Sequence, residues 1–174
     1  MKVHTTIFAL LILLPSSALA QHDHGQSPYA GTQSTDLPSL TDEEIRQLRA
    51  GEGMGLARPA ELNHYPGPKH ALDLAEALEL SEDQIGQITA IRDEMLERAI
   101  AKGEEIVTAE GHLSGEFATG TATAAAVERM TGHLGILRGE LSFIHLEAHV
   151  DTRALLTDAQ VERYDQLRGY LPEG

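Results

Sequence analysis

Between residues 81 and 152 the apolar positions fall at helical spacing. Ile85, Ile88, Ile91, Met95, Ala99 and Ile106 form one stripe. Leu96, Ile100 and Val107 widen it to roughly half the circumference at ~100° per residue. This predicts a long helix from Ser81 to about Gly111, with a face broad enough to cover more than one neighbour. Leu113–Thr121 is rich in Gly, Ser and Thr and reads as a turn. From about Ala122 to Thr152, Val127, Met130, Leu134, Leu137, Leu141, Ile144 and Ala148 alternate in threes and fours. That is the seam of an antiparallel helical hairpin. Each rod would be on the order of 45 Å long at 1.5 Å per residue. Gly132, Gly135 and Gly139 fall together on the opposite face, each costing about 1 kcal/mol relative to Ala. They mark either the close approach of a second helix, as in a dimer, or a weak and mobile rod.

Three segments carry the same start signal. They are Leu40-Thr41-Asp42-Glu43-Glu44-Ile45, Leu80-Ser81-Glu82-Asp83-Gln84-Ile85 and Leu156-Thr157-Asp158-Ala159-Gln160-Val161. In each, a hydroxyl caps a helix and a Glu or Gln three residues on reaches back, a capping box. The preceding Leu is placed to staple against the next turn, and first-turn acids favour the helix dipole. Helices are therefore predicted to start at about 41, 81 and 157, the last running to about Tyr170. Gly51–Pro68, with its Gly and Pro, reads as a loop with one helical turn near Ala57–Asn63. Pro68 suits the first turn of a short helix through about Leu78. The predicted fold class is all-α: a long antiparallel hairpin over about 81–152 with short flanking helices, in a single domain over 39–174.

The chain before this domain has a different character. Lys2, the apolar run Ile7–Leu14, Pro15 and the small-residue end Ala18-Leu19-Ala20 have the layout of a cleavable signal peptide over 1–20. A membrane anchor is the alternative, but the run is well short of the ~20 residues a spanning helix needs. Gln21 to Pro38 has almost nothing to bury and reads as a disordered leader. Its His22 and His24 offer either a loose metal catch or a solvated tail. The expected location is the periplasm, with no stable membrane insertion.

Composition narrows the function. The formal net charge is −14, with 13 Lys plus Arg against 27 Asp plus Glu. That argues against nucleic acid, which needs clustered cations. There is no cysteine, hence no disulfide, thiolate nucleophile or Cys-based metal site. Aromatics are only 4%, so the core must be aliphatic. No nucleophile elbow, phosphate loop, dinucleotide fingerprint or His-Glu-x-x-His zinc-protease motif is present in the sequence, and the chain reads as non-enzymatic.

Histidine is the unusual count, at nine. His145 and His149 stand one turn apart on the second rod and point the same way, a bidentate arrangement for Zn, Ni, Co or Cu. Measured from Leu141, His145 lies about 40° and His149 about 80° around the helix. One is then on the packed face and the other at its edge. A hairpin pivoting near Phe117 sets them against roughly Ile85–Thr89. The loop bearing His64 and His70 leads there, so His64, His70, His145 and His149 are the candidate metal ligands. Glu82 and Asp83 are candidate carboxylate ligands or hydrogen-bond partners that orient the ligating rings. Two such histidines also arise by chance, and His145 can equally be a half-buried, hydrogen-bonded residue. Met54, Met95 and Met130 suit a soft metal or plain packing.

With these residues in hand, the chain resembles the periplasmic LTxxQ family, which includes Spy/CpxP-type chaperones, stress adaptors and heavy-metal-resistance sensors. Leu156-Thr157-Asp158-Ala159-Gln160 matches the motif, Leu80-Ser81-Glu82-Asp83-Gln84 has Ser for Thr, and the copy ending in Glu44 is a looser echo. The resemblance covers about residues 68–170. It implies a non-enzymatic hairpin that forms cradle-like homodimers. Sensor members bind transition metals through helix His and carboxylate ligands, and by position His145 and His149 resemble those ligands, His149 standing where some relatives use Met. Chaperone members hold unfolded clients without ATP on a basic cradle, whereas this chain is acidic and attracts cations. Two functions follow as expectations. One is a metal-binding sensor or resistance protein. The other is a chaperone or stress adaptor using the apolar face around Ile85–Val107, with unfolded clients or a membrane-bound signalling partner.

Overall fold

The computed structural model describes residue 27, residues 29–30 and residues 37–171. The predicted signal peptide over 1–20 lies outside the described residues, as does most of the predicted leader. The chain divides into two compact units, Met1–Gln33 and Ser34–Gly174. In the first, Ser27 organises a turn: Ala30 N–H donates to Ser27 O (2.8 Å) and Tyr29 N–H to Ser27 Oγ (3.2 Å).

The second unit is all-helical among its described residues. Its elements are α1 (Asp42–Arg49), α2 (Arg58–Glu61), α3 (Pro68–Asp73), α4 (Glu82–Ala118), α5 (Ala124–Leu155) and α6 (Asp158–Leu167). Helices α4 and α5 pack along their length as the antiparallel hairpin. Leu134, Leu137, Leu141 and Ile144 of α5 meet Ala99, Ile106 and Val107 of α4, and Leu40 and Leu48 close the same core from the α1 side. Gly103 makes that closure possible. A Cβ there would lie 2.1 Å from Leu48 O, so only a glycine lets the α1 carbonyl rest on α4. The broad α4 face predicted from sequence is thus largely covered: Ile88, Ile106 and Val107 are buried, while Ile85 and Ile100 stay exposed.

All three capping boxes form, at Thr41, Ser81 and Thr157. Two of them also meet. Gln84 Nε2 donates to Gln160 Oε1 (2.9 Å) and to Leu155 O (2.8 Å), and Gln160 Nε2 donates to Leu78 O (3.2 Å). Each glutamine therefore closes its own helix start and satisfies a carbonyl of the chain next door. Beneath them Ala71, Ile88, Leu156 and Val161 form a second small core. This arrangement fixes α3 and α6 at the open end of the hairpin.

The turn differs from the sequence-based expectation. Helix α4 continues to Ala118, past Gly111 and Gly115. Leu113 packs on the hairpin core, and buried Glu110 pairs with Arg138 of α5 (2.8 Å). These tertiary contacts outweigh the local cost of the glycines. The helix stops where Gly120 takes φ +70, with Thr121 N–H donating to Glu116 O (3.0 Å) and Gly120 N–H to Phe117 O (3.2 Å), the Schellman hydrogen-bond pattern. Helix α3 is also shorter than predicted, ending at Asp73.

Candidate functional site

His145 and His149 lie on α5 with the side-chain placement the helical angle implies: His145 is 3% exposed on the packed face, and His149 is half-buried at its edge. Opposite them stand Arg92, Met95 and Leu96 of α4, one to two turns beyond the expected Ile85–Thr89. The Gly51–Pro68 loop folds across the gap and leaves a cleft of about 520 Å³. His70, His145, His149, Met54 and Met95 all line it. A neighbouring hollow of about 390 Å³ shares Met54, His70 and His149. Two glycines let the loop come this close. A Cβ on Gly67 would lie 2.7 Å from His149 Cε1 and 2.9 Å from His149 Nε2, and one on Gly53 would touch the His145 ring at 3.8 Å.

The hydrogen bonds assign the imidazoles different states. His149 Nδ1–H donates to Tyr65 O (2.8 Å), which leaves the lone pair on Nε2. A ring tied through one nitrogen to a backbone carbonyl is oriented for coordination through the other. His145 Nε2 is buried with no hydrogen-bond partner. Burial, and secondarily the adjacent His149, hold the His145 pKa below the ordinary imidazole value. Burial and then the Arg168 charge lower that of His70 as well. Both rings are neutral at pH 7, as a metal ligand must be.

His64 is placed elsewhere. Its Nδ1–H donates to Asp165 Oδ2 (2.6 Å), with the ring largely exposed and the carboxylate buried. The backbone at His64 takes φ +66, an uncommon conformation for a residue with a Cβ. So three of the four candidate histidines meet in one cleft and the fourth faces α6. Glu82 and Asp83 stay exposed in the first turn of α4. The carboxylates near the histidines are instead Glu61, Asp165 and Asp73, whose Oδ2 lies 3.6 Å from His70 Nδ1. Glu61 accepts from Tyr164 OH (2.6 Å) and Tyr170 OH (3.2 Å), and its Oε2 sits 3.6 Å from His149 Nδ1. Among the described residues no group of three or more His, Cys, Asp or Glu side chains is gathered closely enough to hold a metal ion. No helix among them is long and apolar enough to cross a membrane.

No protein family, curated protein or solved structure matches this chain.

Proposed function

We propose that this chain is a non-enzymatic periplasmic sensor or resistance protein of the LTxxQ type that binds a divalent or soft transition metal (Zn, Ni, Co or Cu) in the cleft lined by His70, His145 and His149. One observation carries the reading. A neutral imidazole nitrogen, His145 Nε2, is buried without a partner in the wall of a cleft that two further histidines line. An unpaired buried polar atom costs free energy, and a ligand that engages it recovers that cost. The net charge of −14 enriches cations around the molecule. The three imidazoles line the same cleft without converging on one point. His64, turned to Asp165, is not assigned to this site.

The test is calorimetric titration with Zn²⁺, Ni²⁺, Co²⁺ and Cu²⁺ of the wild type beside the double variant His145→Ala, His149→Ala. The expected result is stoichiometric binding by the wild type and its loss in the variant. Equal affinities in the two proteins would remove the site.

A second reading, a chaperone or stress adaptor for unfolded clients, is favoured by a different surface from the one the sequence suggested. Ile136, Phe143 and Val150, at 61%, 55% and 53% exposure, recur every second turn along the outer face of α5. No atom lies within 4 Å of a Cβ placed on Gly132, Gly135 or Gly139 beside them. The same stripe would serve a homodimer. Suppression of client aggregation, compared between wild type and Phe143→Ser, separates this reading from the first. No suppression at several-fold excess counts against it.

A further inference from the structure

The donor atoms left free in the cleft point to one kind of ion. The nearby carboxylates are largely engaged, though Glu61 Oε2 and Asp165 Oδ1 are buried without a hydrogen-bond partner. Glu52 pairs with Arg46 (2.7 Å) and Asp73 with Lys69 (3.0 Å), while Asp165 holds His64. Glu61 accepts from two phenols through Oε1, while its buried Oε2 has no hydrogen-bond partner and lies 3.6 Å from Nδ1 of His149, the nitrogen committed to Tyr65 O. The cleft also offers imidazole nitrogens from His70, His145 and His149, plus the thioether of Met54. Met54 is 39% exposed, lines both the cleft and its neighbouring hollow, and sits at φ +45. A non-glycine residue in that conformation carries a backbone cost, so the loop holds this side chain at the mouth against a local preference. The residue before it, Gly53, touches His145.

We propose that the ion this cleft selects is copper(I), held by imidazole nitrogens together with the Met54 sulfur. A thioether beside imidazoles suits a soft cation, whereas zinc is held by His, Cys and carboxylate ligands. A low-coordinate soft ion also needs fewer convergent ligands than a tetrahedral or octahedral one. That matches side chains of which no three His, Cys, Asp or Glu converge among the described residues. Met95, on the opposite wall, packs on the hairpin core and is not assigned as a ligand. This inference rests on the metal-binding reading above and adds the identity of the ion.

The experiment is anaerobic competition of the full chain, under ascorbate, with a chromophoric copper(I) chelator, beside indicator titrations with Zn²⁺ and Ni²⁺. Wild type, Met54→Leu and the His145→Ala, His149→Ala variant are compared, with circular dichroism confirming equal helicity. The expected result is tightest binding of copper(I). Met54→Leu should lower that affinity about tenfold or more while leaving zinc and nickel affinities unchanged. X-ray absorption at the copper edge should show a sulfur neighbour that Met54→Leu removes. Tighter zinc or nickel binding, or a copper(I) affinity indifferent to Met54, overturns the assignment while a loss in the histidine variant leaves the metal site standing. If no ion binds the wild type, both readings fall together.

Discussion

Replacing glycine by alanine should have opposite effects at two positions on the hairpin. At Gly103 the added methyl would lie 2.1 Å from Leu48 O and 2.6 Å from Leu48 C. Both are backbone atoms of α1, so no rotamer change relieves the clash. Either α1 moves off α4 by more than an ångström or the pair deforms. Overpacking of this kind costs about 1–3 kcal/mol, against roughly 1 kcal/mol gained from helix propensity. The net expectation for Gly103→Ala is destabilisation by up to about 2 kcal/mol, a Tm lower by up to roughly 8 °C for a chain of this size. At Gly135 nothing lies within 4 Å of the same methyl. Only the propensity gain remains, so Gly135→Ala should stabilise by about 0.5–1 kcal/mol. Urea unfolding followed by circular dichroism measures both. If the two substitutions shift the midpoint in the same direction, the close seat of α1 on α4 is not as described.

Three further outcomes follow from named contacts. Gly67→Ala should push the His149 ring off Tyr65 O and weaken metal binding about tenfold or more; calorimetry showing unchanged affinity would contradict the packing of that loop. Gln84→Leu and Gln160→Leu should each cost about 1 kcal/mol by removing a part-buried hydrogen bond, and the double variant less than their sum; strict additivity in urea unfolding would show the amides to be independent. Stability should also fall with acid. His70 and His145 have folded pKa values below the unfolded value near 6.5, so the unfolded chain takes up more protons as pH drops through that value. The loss begins below about pH 6.5 and continues toward the lowered folded values. His145→Gln should flatten the slope of Tm between pH 7.5 and 5.5, and an unaltered slope would remove His145 from the account.

Local rules were legible in the sequence and distant ones were not. The helix starts at Thr41, Ser81 and Thr157 follow from a hydroxyl and an amide or carboxylate three residues apart, an interaction complete within one turn. The burial of His145 and the partial burial of His149 follow from their angles around α5. The end of α4 was misplaced because Gly111 and Gly115 look like a turn when read alone. What carries the helix past them is Glu110 meeting Arg138 and Leu113 reaching the core. The partners of the histidines were invisible for the same reason. Glu61 and Tyr164, or His64 and Asp165, are about a hundred positions apart in the chain. No short spacing announces them. Met54 could be named from sequence as a residue suited to a soft metal, but its place in the same cleft as His145 needed the fold.

The paired glutamines have a consequence for how the hairpin behaves in changing surroundings. Their amides carry no charge, so neither acid nor added electrolyte weakens the clasp between the start of α4 and the start of α6. The cleft beside them is lined by groups that do respond to protons and cations. The molecule thus sets an indifferent fastening next to a responsive mouth.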